Sequence, residues 1–186
     1  MTFASLIGAL RSGTVCQAAD EEEGLLAIVW HSRTGASEAL ARAAWDGARS
    51  AAPDCSASLR RAADADAAYL LSASGFLFAC PENLGGLSGA MKELFDRCYY
   101  ALLGKVEGWP YASIIAAGSD GSGAQAQLDR IATGWRLRRI APPMIVNFAA
   151  DTPERILAAK APDAASLRRA NDLGAAFAAG LAMGAL

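Results

Sequence analysis

Leu25-Leu26-Ala27-Ile28-Val29-Trp30-His31-Ser32-Arg33-Thr34-Gly35-Ala36-Ser37 changes texture once, at His31. Leu25–Trp30 is a short, unbroken apolar run, the pattern of a strand buried on both faces. The polar turn after it gathers the hydroxyls of Ser32, Thr34 and Ser37 around Gly35. Over residues 36–52, Ala36, Ala39, Leu40, Ala43, Ala44, Gly47 and Ala48 recur at helical spacing. A doubly buried strand that runs into an amphipathic helix is the building unit of a parallel sheet.

The same alternation continues along the chain. Residues 55–59 read as a short second strand, ended by Arg60-Arg61. Residues 75–80 (G-F-L-F-A-C) form a third apolar run, stopped by Pro81. Residues 88–102 place Met91, Leu94, Phe95, Cys98 and Leu102 on one helical face. A fourth strand is expected at 111–117, a helix at 124–137 through Leu128, Ile131 and Trp135, and a fifth strand at 144–148. Leu167, Leu173, Phe177 and Leu181 mark a closing helix. Right-handed crossovers leave few ways to wind such a chain. The expectation is an α/β three-layer sandwich, with a five-stranded parallel sheet in the order 2-1-3-4-5 and helices on both faces. There is no internal repeat, low-complexity tract or linker, so residues 24–186 read as one domain and residues 1–23 as an N-terminal extension. Ligands of these sheets bind beyond the carboxyl ends of the strands where the winding reverses. Function is therefore sought in the loops after strands one, three and four.

Composition narrows the choices. A chain of 186 residues suits one domain. Seventeen basic against nineteen acidic residues give a net charge of −2, without the basic excess of a nucleic-acid binder. Cys16, Cys55, Cys80 and Cys98 form no C-x-x-C pair, and His31 is the single histidine, so no metal site is expected. Scattered thiols without a secretory signal point to the cytoplasm. The apolar stretch at residues 3–10 is too short to span a membrane. Trp45, Trp109 and Trp135, in or beside predicted helices, read as packing residues.

Any one of the three loops reads as an ordinary turn, but three of this composition at one edge of the sheet point to a ligand. Residues 31–37 bring hydroxyls and Gly35 to a helix start, where free N–H groups and a partial positive charge favour a phosphate. Capping of that helix by the same hydroxyls is the alternative. The G-x-G-x-x-G pattern and the P-loop lysine are both absent, which argues against NAD-fold and ATP readings. The second loop, Pro81-Glu82-Asn83-Leu84-Gly85-Gly86-Leu87-Ser88-Gly89, leaves the strand at a proline, and its glycines allow a flat group to approach bare backbone. Lys92 and Asp96 just beyond it read as an i,i+4 ion pair at the surface or at a subunit interface. The third loop, Gly118-Ser119-Asp120-Gly121-Ser122-Gly123, repeats the glycine and hydroxyl theme.

These residues carry a resemblance. Ser32-Arg33-Thr34-Gly35-Ala36-Ser37 resembles the flavodoxin phosphate loop, [ST]-x-T-G-x-T, with serine in the last place. Pro81-Glu82-Asn83, Gly89-Ala90-Met91-Lys92 and Asp96 resemble the P-E-Y-N…G-x-L-K-x-x-x-D stretch of the NADPH-dependent FMN reductase and quinone reductase families, Asn83 standing where those families have tyrosine. The resemblance covers residues 25–148 and implies a flavodoxin-like fold with non-covalent FMN. Ser32, Arg33, Thr34, Gly35, Ala36 and Ser37 would hold the FMN phosphate. Pro81, Glu82, Asn83, Leu84 and Gly85 would flank the isoalloxazine ring, with Gly118, Ser119, Asp120 and Gly121 through Gly123 on its other side.

What the resemblance implies about function is an oxidoreductase in which NADPH or NADH reduces FMN, and a quinone, azo compound or free flavin is reduced in turn. The chemistry belongs to the cofactor, so no catalytic side chain is called for, and His31 reads as structural. The family also implies a homodimer or homotetramer, for which the 88–102 helix ending in Tyr99-Tyr100 is the candidate contact. An electron-carrying flavodoxin is the competing reading, but such carriers are strongly acidic and this chain is not. A phosphorylation-dependent receiver fails because the positions for its acidic pair and aspartate hold Trp30-His31 and Cys80-Pro81. A flavodoxin-like module that has lost its flavin and only binds proteins is the remaining alternative.

Overall fold

The structure is a computed structural model that describes residues 25–52 and 56–186. The expected extension over residues 1–23, and the expected first residue of the second strand, Cys55, lie outside the described residues. The chain opens with β1 (Leu25–Trp30), α1 (Ala36–Ala51), β2 (Ser56–Arg61) and α2 (Ala67–Leu71). A hairpin follows, β3 (Gly75–Asn83) with β4 (Gly86–Leu87), and then α3 (Gly89–Leu102). The remainder is β5 (Pro110–Ala117), α4 (Ser122–Gly134), β6 (Arg138–Arg139), β7 (Met144–Asn147), α5 (Pro153–Leu157) and α6 (Ala164–Ala182).

The main sheet runs β2-β1-β3-β5, and the far edge of β5 carries β6 and β7 in turn. The expected 2-1-3-4-5 order is therefore present, with its last place shared. β6 pairs with Pro110 and Tyr111, and β7 pairs with Ile114 through Ala117. Pro142 and Pro143 stand between the two short strands. Neither can donate to a ladder, so the edge strand breaks there. All pairings are parallel except that of β4 with β3.

Alternate residues of each central strand serve different layers. Ala27, Val29, Phe76, Phe78 and Cys80 face α2, α3 and α4, where Phe95 and Trp135 extend an aromatic row with centroids 5.0–5.6 Å apart. Leu26, Ile28, Leu77, Ala79 and Ile114 face α1 and α6. Those two helices meet backbone to backbone. A Cβ on Gly47 would collide with the Asn171 carbonyl, and one on Gly174 with the Ala44 carbonyl. Asn171 Nδ2 also donates to the Ala43 carbonyl at 3.1 Å.

Several boundaries differ from the sequence reading. β2 continues through Arg60 and Arg61 because it is an edge strand whose charged side chains reach solvent. Pro81 does not stop β3. Ala79 already accepts from the His31 amide at 3.0 Å, and in a parallel ladder the next bond toward β1 would need an N–H at residue 81. Proline thus ends pairing with β1, whereas pairing with β5 continues to Pro81↔Ala116 and the strand runs on to Asn83. Helix α4 starts at Ser122 and ends at Gly134, short of the expected residue 137, because Arg136 turns to a positive φ of 56°. The short helix α2, unread in the sequence, is capped by Asp66, whose carboxylate accepts from the Tyr69 amide at 2.8 Å.

Candidate functional site

The loops after β1, β3 and β5 meet at the carboxyl edge of the sheet. The first begins where β1 ends and closes on Gly35, which precedes α1 with φ 96°, a value that residues with a Cβ rarely adopt. The Gly35 amide donates to Ser32 Oγ at 3.0 Å, which folds the loop back over the helix start. The first intrahelical bond runs from Ala39 to the Gly35 carbonyl, and no side chain caps the helix. The amides of Ala36, Ser37 and Glu38 therefore have no acceptor among the described residues. Ser37 is 1% exposed, and its Oγ is the buried side-chain oxygen without a partner among the described residues. A buried hydroxyl in that state costs about 1–3 kcal/mol unless a ligand satisfies it. Glu38, the acidic residue of the first turn, is paired with Arg42 at 2.8 Å and turned to that cation. Thr34 is braced from behind, its carbonyl accepting from the Lys160 amide at 2.7 Å. Arg33 points into solvent.

The second and third loops are joined to each other. Glu82, near the end of β3, places one carboxylate oxygen 2.7 Å from the Gly121 amide and the other 3.2 Å from that of Ala124. Both amides belong to the start of α4, where a negative charge is favoured. A Cβ on Gly123 would strike the Gly85 carbonyl, and Gln127 Oε1 accepts from the Leu87 amide at 2.8 Å. Gly121 and Gly123, expected across the ring from residues 82–85, are in contact with Glu82 and Gly85. Open to solvent on the third loop are Ser119 and Asp120, beside half-buried Gly118. This stretch is held by the end of β7 and the segment after it, with Asn147 Nδ2 donating to the Ser119 carbonyl and the Ala150 amide to that of Gly118. Asp120 is taken by the Ser122 hydroxyl.

Leu84 and Gly85 make the turn between β3 and β4 with φ of 52° and 72°. Two-residue hairpins with both values positive prefer Asn-Gly, so leucine is strained at the first place. Its side chain is fully exposed at the tip. Pro81 and Asn83 are half-buried in the strand below.

Burial acts on the histidine at this edge and on two thiols of the core. His31 Nδ1 shares a 2.9 Å hydrogen bond with the buried Ser88 hydroxyl, and burial together with Arg33 lowers the imidazole below its usual pKa of 6.5. Burial pushes the Cys80 thiol up to about 12, and Cys98 is raised for the same reason. These shifts favour the neutral imidazole and the neutral thiols, and among the described residues no group of acids, histidines and cysteines could hold a metal.

A turn of hydroxyls and open amides at a helix start, with an unsatisfied buried serine inside it, fits a phosphate. The model of the NADPH-dependent FMN reductase family matches residues 38–152. The chain belongs to that family. The matched span begins one residue after Ser37, so the turn at residues 32–37 of this FMN reductase family member lies outside it. No curated protein sequence matches the chain. Among solved structures, a flavodoxin from the domain Archaea superposes with a TM-score of 0.70 at 16% identity, covering 84% of this chain and 98% of that one. A WrbA-like flavodoxin from Agrobacterium tumefaciens gives 0.65 at 18%, covering 88% and 99%. The Flv1 flavodiiron core from Synechocystis gives 0.71 at 17%, covering 88% of this chain and 37% of that one. At these identities the likeness is one of fold, and the fold is flavodoxin-like. The family and the fold together support an FMN-binding oxidoreductase. Among the described residues no helix is long and apolar enough to cross a membrane.

Sequence reasoning placed the three loops at one edge of the sheet but missed three partners. Lys160 braces Thr34 from a connection far along the chain, Asn147 holds the third loop, and Ser88 pairs with His31. None of these carries a local pattern. Glu82 was read as a neighbour of the ring, and only the fold shows its carboxylate tied to α4.

Proposed function

We propose that this protein takes reducing equivalents from NADPH or NADH and delivers them, through non-covalent FMN, to a small acceptor such as a quinone, an azo compound or free flavin. The observation that carries this reading is the buried, unpartnered Ser37 hydroxyl inside the open N-terminus of α1. Bound FMN supplies the hydride chemistry. The chain supplies the rest. The amides of Ala36, Ser37 and Glu38, with the hydroxyls of Ser32, Thr34 and Ser37, would hold the phosphate, and Gly35 permits its close approach. The backbone of Pro81, Asn83, Gly118 and Ser119, on the same edge, would position the ring. Glu82 keeps the hairpin and the start of α4 in one register. Burial favours the thiol form of Cys80 and the neutral form of His31.

The donor is inferred from the family description. A homodimer or homotetramer is part of the proposal, with the exposed Tyr100 and Leu103 of the α3 end as candidate contacts. A cytoplasmic setting fits the free thiols Cys80 and Cys98. The second reading, an electron carrier that passes electrons to a protein, is favoured by the flavodoxin neighbours and opposed by the net charge of −2.

The deciding experiment starts with the absorbance spectrum of the purified, FMN-reconstituted protein, with flavin bands near roughly 375 and 450 nm. Stopped-flow mixing with NADPH or NADH follows, with and without a quinone. Fast bleaching that the quinone reverses is the expected result. Bleaching only by a reductase protein would establish the carrier, and failure to take up FMN would overturn both readings.

A further inference from the structure

The segment between β7 and α6 is tied at both ends to loops of the candidate site. At its start the Ala150 amide donates to the Gly118 carbonyl at 2.7 Å, and Asn147 Nδ2 donates to that of Ser119. At its end the Lys160 amide donates to the Thr34 carbonyl at 2.7 Å. The Lys160 carbonyl oxygen lies against Gly35, 3.4 Å from where a Cβ would stand. Residues 151–159 therefore bridge the third loop and the first. All of them are exposed, and α5 in their midst buries no residue.

A helix as short as α5 is not stable by itself and normally depends on an apolar face packed against the core. Here the apolar residues exist without the packing. Ile156 and Leu157 are 53% and 80% exposed, and neither packs against the core among the described residues. The helix is held by its ends instead. Thr152 Oγ1 accepts from the Arg155 amide at 3.3 Å, and the Lys160 ammonium donates to the carbonyls of Arg155, Ile156 and Ala158 at 2.8–3.1 Å. Lys160 thus has two tasks: its main chain braces the turn before α1, and its side chain latches α5. At the other end Ala149 sits at φ 49°, with its amide held by Asn147 Oδ1 at 2.8 Å. Strain of this kind clusters at ligand clamps and switch segments.

We propose that residues 151–159 are a strap that closes on bound flavin, laying Ile156 and Leu157 on its apolar ring and slowing its release. The proposal rests on the flavin reading. Its occupant follows from the anchors. The strap leaves from the loop proposed to position the ring and arrives at the turn proposed to hold the phosphate, so it spans the same interval as the ligand. Few bonds and no buried side chain fix its middle, which places it at the low-stability end of the molecule, where ligands shift populations.

Amide exchange of the full chain, followed by mass spectrometry with and without FMN, tests this directly. FMN should slow exchange over residues 151–159 by about tenfold or more. In stopped-flow displacement the double variant I156S/L157S should release FMN about tenfold faster or more, with little change in the association rate. Both side chains are exposed, so the flavin-free variant should melt with the wild type. K160M keeps the main-chain bond to Thr34 and loses the latch, so it should speed both exchange over 151–159 and FMN release. The proposal is overturned if FMN binds and leaves exchange over 151–159 unchanged, or if I156S/L157S releases FMN at the wild-type rate. It is overturned as well if K160M changes neither rate, or if inorganic phosphate protects the segment as strongly as FMN, since filling the turn alone would then suffice. Each of these results leaves the flavin reading standing. Failure of the wild type to take up FMN overturns the flavin reading and the strap together.

Discussion

Glu82→Gln isolates the contact that joins the β3–β4 hairpin to α4. The wild-type carboxylate gives one oxygen to the Gly121 amide at 2.7 Å and the other to that of Ala124 at 3.2 Å. Glutamine keeps the length but only one acceptor. Its NH₂ must face one of the two amides, donor against donor, so that bond is lost outright. A hydrogen bond to a charged group contributes about 1.5–3 kcal/mol. The negative charge at the start of α4 adds about 0.3–1 kcal/mol, partly the same energy counted again. The expected loss is about 2 kcal/mol, which for a domain of this size lowers the melting temperature by about 4–8 °C. Thermal unfolding followed by circular dichroism at neutral pH measures it. FMN titration by flavin fluorescence adds a second reading, since a hairpin freed from α4 should bind the flavin more weakly. Glu82→Asp, too short to span both amides, should fall on the same side. A Glu82→Gln melt and FMN affinity equal to wild type would refute the view that this carboxylate holds the site together.

The Ser37→Ala variant should leave the melting temperature of the flavin-free protein unchanged or raised, because the hydroxyl it removes has no partner, yet weaken FMN by about tenfold or more; equal FMN affinity would remove Ser37 from the phosphate site. Gly174→Ala drives a Cβ into the Ala44 carbonyl, and urea unfolding should show a loss of about 1–3 kcal/mol, with Gly47→Ala behaving alike. His31 is the chain's single histidine, so one imidazole signal in a proton NMR titration should report a pKa below 6.5. The folded form resists protonation more than the unfolded one. Its stabilising contribution is therefore present above the unfolded pKa of about 6.5 and is lost as pH falls through the lower folded value. His31→Asn should abolish that part of the slope in stability measured between about pH 7.5 and 5.

What the sequence disclosed follows physical lines. β1, β3 and β5 were legible because strands buried on both faces must be apolar at every position, and that leaves a continuous mark. The turn at 32–37 was legible because a tight exit from a buried strand into a helix needs small and hydroxyl-bearing residues together. Arg60 and Arg61 misled because an edge strand tolerates charge, so its end carries no change of polarity. Pro81 misled because proline blocks one of a strand's two ladders and leaves the other intact. The Glu82 clamp and the Lys160 brace were invisible for a different reason. Each is a contact between segments whose relative position exists only after the sheet has formed.

The brace at Thr34 and the close seam between α1 and α6 also set an order of events. Thr34 rests on Lys160, and Ala43 is bonded to Asn171 across 128 positions of sequence. A nascent chain that has emerged only through β7 holds every strand of the sheet, but α1 still lacks the helix that covers it, and the turn before α1 lacks its support. Contacts this distant in sequence form slowly and late. Flavin capture is then a report on completed folding, and a chain cut after residue 150 should be a colourless sheet rather than a weakened enzyme.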